Sequence, residues 1–256
     1  YAAMLEAHRA NQAAVTVACM QVPIEEAKAF GVMRVDGQQR IVAFQEKAAQ
    51  PAALPNDPQH ALASMGIYVF SMELLLNTLR ADHAHSESEH DFGKDILPKL
   101  IKEQRVFAYP FGGETGRVTP DRYWRDVGTL DAFYQANMDL LEPVPPLNLY
   151  QDDWTIRTYQ AQSAPARTVP GTSGNEGIFI NSIVAGGTVI AGGSVQHSIL
   201  FPNVYIGDEA EVHDSIIFNH VRIGDGTRIR RCIIDKHVEV PAGERIGFDI
   251  EKDRQR

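Results

Sequence analysis

The chain has 256 residues, 44% hydrophobic and 22% charged, which allows one large domain or two modest ones and excludes a disordered polymer. Its 24 Lys plus Arg against 33 Asp plus Glu give a formal charge of −9, the wrong sign for a general nucleic-acid binder, though not for a small basic pocket that takes a phosphorylated metabolite. No run approaches the roughly 20 apolar residues of a membrane helix, and Cys19 and Cys232 are too few for a disulfide framework, so the composition predicts a cytoplasmic protein with no membrane partner and two buried thiols.

From its first residue the chain reads as helix: Tyr1 to Ala14 lacks Gly and Pro, and Met4, Leu5 and His8 share a face. There is no initiator Met, signal peptide or basic leader, so the expectation is a chain whose front is missing. Apolar runs at 14–20, 32–35, 40–44 and 65–70 have strand character, and 73–80, 95–103 and 130–141 have helix character. Their alternation predicts an α/β layer over residues 1–141 with a substantially parallel sheet, whose ligands would bind on loops at the carboxyl ends of strands. Residues 142–170 are rich in Pro, Gly and Ser and read as a linker, with Tyr150, Trp154 and Tyr159 expected to hold it against a surface.

Residues 171–256 carry the clearest periodicity. Aliphatic residues fall at Ile178, Ile183, Val189, Val195, Leu200, Ile206, Val212, Ile217, Ile223, Ile229, Ile234, Val240 and Ile246, with gaps of five or six that repeat every 17 residues. A helix would show gaps of three and four, and a single strand gaps of two. Gaps near six mean one short strand per gap, each sending one aliphatic side chain inward. Three strands close a triangular coil, and stacked coils bury a continuous column, which predicts a parallel β-helix of hexapeptide type. Glycines after the inward residue, at Gly207, Gly224 and Gly247, are expected to supply the permissive dihedrals of the corners.

The front half contains, in order, AFGVM (29–33), FQEK (44–47), ASMGIYVF (63–70), HDFGKDI (90–96) and YWRDVGT (123–129). In that order, followed by a hexapeptide β-helix, the chain resembles bacterial glucose-1-phosphate adenylyltransferase (ADP-glucose pyrophosphorylase) over essentially its whole length. The resemblance implies the C-terminal part of a Rossmann-like nucleotidyltransferase domain followed by a left-handed β-helix. It also implies a reaction: ATP and α-D-glucose 1-phosphate give ADP-glucose and pyrophosphate, in glycogen synthesis. Two polyanions must be brought together in line, so catalysis is mostly positioning and charge neutralisation by cations and Mg²⁺.

The resemblance assigns Lys47 to the phosphate of glucose 1-phosphate, and Glu46, Gly31 and Ser64 to the same substrate. An ammonium at a strand end can hold a phosphate, and a carboxylate can accept hydrogen bonds from sugar hydroxyls. Outside the FxEK context, Glu46-Lys47 would read as a solvated pair. Asp126 matches a carboxylate that helps to hold the Mg²⁺ ion, a cation that takes few protein carboxylates plus phosphate oxygens; its ordinary readings are a partner for Arg125 or a cap for the helix near Thr129. Lys236, and with it Arg231 in the cluster Arg228, Arg230, Arg231, is placed at a site for phosphorylated effectors, against the ordinary reading of a solvated face. The resemblance also implies a homotetramer.

Three departures accompany these matches. The family's Gly-rich nucleotide loop and its GDH carboxylate do not occur in the chain, a Pro after FxEK is Ala48, and the sequence stops at Arg256. The chain by itself is therefore expected to be inactive, and its α/β half poorly stable. Two other readings stand beside this one: a hexapeptide acyltransferase or trimeric carbonic anhydrase using His197, His213, His220 or His237, and a non-catalytic assembly subunit.

Overall fold

The computed structural model describes residues 1–112, 123–147, 149–150, 159 and 162–254. Two compact units are present, Tyr1–Gly116 and Arg117–Arg256.

In the first unit, α1 (Ala2–Ala10) ends at a turn through Gln12 and leads into β1 (Val15–Pro23). Strands β2 (Gly31–Val35), β3 (Ile41–Glu46) and β4 (His60–Phe70) follow, then α2 (Met72–His83), a π-helical turn Phe92–Ile96 running into α3 (Leu97–Glu103), and β5 (Val106–Pro110). The sheet order is β3-β2-β4-β1-β5, and β1–β5 is a parallel pair whereas β2–β3, β2–β4 and β1–β4 are antiparallel. The expected parallel sheet is therefore a mixed one. Its cause is local: Asp36 Oδ1 accepts from the backbone N–H of Gln38 and Arg40, each at 2.9 Å, closing a tight hairpin between β2 and β3. Antiparallel neighbours need only such a turn, whereas the parallel pair β1–β5 is joined through all of the intervening chain, from β2 to α3. Val15, Val17 and Cys19 on β1 are fully buried against Met33, Ile41, Leu97 and Val106. Burial pushes the Cys19 thiol up to about 12, which leaves it unreactive at neutral pH.

β4 is longer than its apolar run and carries a bulge. Tyr68 pairs with Val17 but Ser64 pairs with Cys19, so extra residues of β4 face Ala18. Gly66 sits there with φ +68 and open space around it, so its glycine is required by the backbone angle and not by crowding.

In the second unit, α4 (Leu130–Met138) is capped by Thr129, whose Oγ1 accepts from the Ala132 N–H at 3.1 Å, and passes into a 3₁₀ turn at Asp139–Leu141. The β-helix then presents three sheets. One stacks Ile178–Ile180, Ser194–Gln196, Glu211–His213, Arg228–Arg230 and Arg245–Ile246; the second stacks Ile183–Val184, Ile199–Leu200, Ile216–Ile217 and Ile233–Ile234; the third stacks Arg167–Val169, Val189–Ala191, Tyr205–Ile206, Arg222–Ile223 and Glu239–Val240. All their pairings are parallel. A short helix α5 (Ile250–Asp253) follows the last coil.

The aliphatic column is as expected from Val195 to Val240, with Val195, Leu200, Ile206, Val212, Ile217, Ile223 and Ile229 wholly buried. Its first coil is shifted by one residue. Val195 pairs with Phe179, Leu200 with Val184 and Ile206 with Ile190, a spacing of 16 instead of 17. Ile190 is accordingly buried; the strand Ile178–Ile180 lies at the open end of its sheet, and its three residues are 43%, 49% and 48% exposed. The corner at Gly192-Gly193 is one residue shorter than its successors, and aliphatic neighbours on both sides of Phe179 and Ile190 hide the slip. Replacing Ile217 by Ala in the middle of the column should cost about 3–4 kcal/mol, read as a lower denaturation midpoint at unchanged slope.

Corners and their glycines also differ from expectation. Gly247 does adopt φ +85, but Gly207 and Gly224 do not have positive φ; a side chain on Gly207 would meet Asp225 Oδ1 at 2.3 Å and Ile223 O at 2.9 Å, so close coil stacking is what requires it. Many left-handed corner positions go to other residues, among them Asn181, His197, Asp214 and Arg231 on one edge and Asn203, His220 and His237 on another. Inside one corner, the hydroxyl oxygens of Ser182, Ser198 and Ser215 each accept the backbone N–H of the next coil, at Ser198, Ser215 and Cys232, while donating to their own chain two residues back. Tyr150 and Tyr159 are 80% and 89% exposed, against the expectation that these rings are packed over a surface. Trp154 lies outside the described residues.

Candidate functional site

Gly31, at the start of β2, pairs directly with Glu46, at the end of β3. Antiparallel register thus places the AFGV and FQEK motifs side by side. A side chain on Gly31 would meet the Phe44 ring at 2.5 Å and Glu46 Oε2 at 2.7 Å, and one on Gly93 would come within 2.3 Å of the same Glu46 atom. The two glycines form a cradle in which the Glu46 carboxylate lies. Gly93 sits there because Asp91 Oδ1 accepts from the N–H groups of Gly93 at 2.7 Å and Lys94 at 2.9 Å, starting the π-helical turn of HDFGKDI.

Glu46 is the electrostatic centre of this group. Its side chain is 19% exposed, and burial foremost, then the charge of Asp91, hold its carboxyl above the usual range, opposed by Lys47 and Lys94. Lys47 follows at φ +45 with its N–H bonded to Phe30 O at 3.1 Å; its side chain is 67% exposed, and Nζ stands 3.9 Å from Glu46 Oε1. A flexible ammonium beside a seated carboxylate can take an anion while the carboxylate takes hydroxyl donors.

Ser64 is 8% exposed, and its Oγ accepts the Gly66 N–H at 3.3 Å across the bulge. Burial foremost, and then the charges of Glu46 and Asp91, push the Tyr68 phenol up, against the opposing influence of the Ser64 hydroxyl. Its ring stacks on Phe92 with centroids 5.5 Å apart. The structure therefore brings Gly31, Glu46, Lys47 and Ser64 together, and adds Tyr68, Asp91, Gly93 and Lys94. Sequence reasoning used SMGIYVF and HDFGKDI for recognition without giving these four a role. The available signal was the concentration of polar and glycine residues in HDFGKDI, which no helical core requires.

Asp126 belongs to the second unit and is exposed. The structural roles open to it are taken by others: Arg125 pairs with Asp139 at 2.9 Å, and Thr129 caps α4. Its Oδ2 lies where a side chain on Gly128 would come within 3.0 Å, so Gly128 leaves the carboxylate room. One accessible, hard-oxygen carboxylate fits the sparing protein coordination that Mg²⁺ accepts.

On the β-helix, Arg228 pairs with Glu211 at 3.3 Å and Arg230 with Asp214 at 3.9 Å. Arg231 and Lys236 are exposed and make no ion pair among the described residues; they stand at either end of the two-residue strand Ile233–Ile234. Three of the four histidines considered for acyl transfer, His197, His220 and His237, occupy left-handed corners; His197 also bonds Asp214 at 2.9 Å, and His220 stacks on His237. Each thereby has a structural reason to be there.

The raised Glu46 carboxyl makes pH a test of whether it accepts from ligand hydroxyls: in that case affinity for a polyol phosphate should be present above the Glu46 pKa and lost as pH falls through it. Asp91→Asn keeps the Oδ1 acceptor and removes the repulsion, so the acidic limb of affinity should move to lower pH. Measuring the apparent KM for the sugar phosphate against pH in both proteins checks this; a limb that stays in place would show that Asp91 does not act on Glu46.

Comparison with known proteins adds a pattern of similarity. The nucleotidyl transferase family matches residues 1–143, and the GlmU-like, C-terminal hexapeptide family matches residues 164–256. Glucose-1-phosphate adenylyltransferase 2 of Vibrio cholerae is 59% identical over 214 residues, 84% of this chain and 53% of the relative. The protein of that name in Vibrio vulnificus is 64% identical over 204 residues, 80% of this chain and 50% of the relative. Glucose-1-phosphate adenylyltransferase of Methylobacillus flagellatus is 46% identical over 257 residues, 100% of this chain and 60% of the relative. The chain spans about half the length of the curated relatives it matches.

Proposed function

The chain belongs to the nucleotidyl transferase family, in the branch of the glucose-1-phosphate adenylyltransferases, and on that premise we propose that the full-length protein transfers an adenylyl group from ATP to glucose 1-phosphate, giving ADP-glucose and pyrophosphate for glycogen synthesis. The observation that supports it most is the seating of Glu46 between Gly31 and Gly93 with the Lys47 ammonium beside it. A solvated Glu-Lys pair needs no two-glycine cradle.

In this mechanism Lys47 neutralises the phosphate of glucose 1-phosphate, which lets a dianion approach a triphosphate. Glu46 accepts from sugar hydroxyls, with Ser64 and Tyr68 supplying hydroxyls at the same end of the sheet. Burial of Glu46 strengthens those hydrogen bonds and favours a polyol over water. Asp126 would hold the divalent ion, which when bound supplies Lewis-acid charge stabilisation to the phosphates. Arg231 and Lys236 would meet phosphorylated effectors on the β-helix, and the protein would work in the cytoplasm as a homotetramer; the resemblance supports these features, and their exposed cations agree with the effector role. Among the described residues no helix is long and apolar enough to cross a membrane.

The discriminating experiment offers the full-length protein ATP with glucose 1-phosphate, and separately an acyl-thioester with amino or hydroxyl acceptors. Pyrophosphate release that needs both sugar phosphate and ATP is the expected result. Release of free thiol without pyrophosphate would select the acyltransferase reading, and neither product would select an assembly subunit.

A further inference from the structure

We propose that Asp139 is the positioning residue for the Asp126 carboxylate, clamping the segment that carries it to the end of α4 through the Tyr123 hydroxyl and the Arg125 guanidinium. The inference rests on the reading of Asp126 as the metal carboxylate.

Asp139 closes α4, and its side chain is 13% exposed. Its Oδ2 accepts from the Tyr123 hydroxyl at 2.9 Å and from Arg125 Nη2 at 2.9 Å, while Oδ1 accepts from Gln135 Nε2 at 2.9 Å. Three donors fill most of the roughly four acceptor positions of a carboxylate, and its 13% exposure leaves little access for substrate or metal. Both of its partners outside α4 lie within three residues of Asp126, one of them immediately before it. On the other side of Asp126, only Val127 and Gly128 intervene before Thr129, which is tied to the first turn of α4 by its bond to the Ala132 N–H. The seven-residue stretch YWRDVGT is thus fixed at both ends to one helix, with Asp126 in the span between. Such support matters because a metal-binding carboxylate is useful only within a fraction of an ångström of its working position.

The helix that bears the clamp is itself anchored. The Tyr134 hydroxyl donates to Asp214 O at 2.6 Å, and Phe133 stacks on Phe218, which stacks on Phe201, at 6.2 and 4.7 Å between centroids. Asp214 is a left-handed corner of the β-helix whose carboxylate engages His197 and Arg230. Rigidity therefore runs from the β-helix through α4 to Asp139 and on to the Asp126 segment. In this arrangement the β-helix is the platform for the segment that carries Asp126.

The test uses the full-length protein with Asp139→Asn, Asp126→Asn and the double variant. A positioning role predicts that Asp139→Asn lowers kcat by about 10–100-fold and raises the Mg²⁺ concentration for half-maximal rate, with the KM for glucose 1-phosphate unchanged. The double variant should be no slower than Asp126→Asn alone, since the clamp acts through that carboxylate. Asp139→Glu should recover part of the rate. Independently of turnover, trypsin cleavage after Arg125 should become several-fold faster in Asp139→Asn, mapped by mass spectrometry, because its guanidinium is no longer held. Additive losses in the double variant, or an unaltered Mg²⁺ requirement, would overturn the positioning role. Unaltered cleavage after Arg125 would overturn the clamp itself. If the wild-type protein releases no pyrophosphate at all, the functional reading of Asp126 falls, and with it the positioning role, and the cleavage rates still decide whether the clamp exists.

Discussion

Replacing Lys47 by Ala in the full-length protein should raise the KM for glucose 1-phosphate by roughly 100-fold while leaving the KM for ATP within a factor of about two. The size follows from losing a charge-assisted contact to a phosphate, worth about 3 kcal/mol, at about 1.4 kcal/mol per tenfold. The asymmetry follows from position. Lys47 directly follows Glu46 at the end of β3, and with Glu46 proposed to accept sugar hydroxyls the ammonium is proposed to serve the sugar-phosphate end. The fold should survive the change: the Lys47 side chain is 67% exposed, and its N–H bond to Phe30 O is made by the backbone. Ala at φ +45 is mildly strained, so Lys47→Asn, which tolerates that region, separates a backbone effect from loss of charge. Equal effects on both substrates would remove Lys47 from the phosphate of the sugar.

Asp126→Asn should lower kcat by roughly 1000-fold, about 4 kcal/mol of transition-state stabilisation, and weaken the dependence on Mg²⁺. The substitution keeps shape, replaces one acceptor oxygen by an amide donor and removes the charge that a hard divalent ion favours. Stability should barely change, since Asp126 is exposed and the ion pair and helix cap of its segment are made by Arg125 and Thr129. A variant with wild-type turnover and wild-type metal dependence would refute the assignment. Measuring melting temperature alongside kcat tells loss of chemistry from loss of fold.

Much of this was legible in the sequence, for reasons particular to each region. The β-helix announced itself because its inward residues come every five or six positions and almost nothing but aliphatic side chains can fill the column from Val195 to Val240. The one-residue slip in the first coil was not legible, because Ile178 and Phe179, and Val189 and Ile190, are neighbouring apolar pairs and the register is set by the length of a glycine corner. The mixed sheet was missed for a related reason: strand direction is fixed by the connection. The Asp36-Gly37 pair between β2 and β3 is a hairpin signal that the alternation of strands and helices obscured. Corner glycines were expected where a glycine follows the inward residue, yet Asn, His, Asp and Glu fill many left-handed positions, a choice visible only with backbone angles.

At the site, Gly31, Glu46, Lys47 and Ser64 were reached through motif order, and the structure gathers them at one place in the first unit. Its cradle could not be read from sequence, because Gly31 and Gly93 are 62 positions apart and only the β2–β3 register and the π-helical turn bring both to Glu46. Asp139 escaped notice because an aspartate after a helix reads as an ordinary surface residue; its importance lies in what it holds.

The central claim is that the sugar phosphate oxygen attacks the α-phosphorus of ATP. It is tested most directly by following label from [α-³²P]ATP and, in parallel, [γ-³²P]ATP in the presence of glucose 1-phosphate and the full-length protein. The predicted result is α-label in ADP-glucose and γ-label in pyrophosphate, with both initial rates lowered together, about 1000-fold, by Asp126→Asn. Gamma-label appearing on the sugar, or α-label remaining wholly in adenine nucleotides while the sugar is consumed, would contradict it.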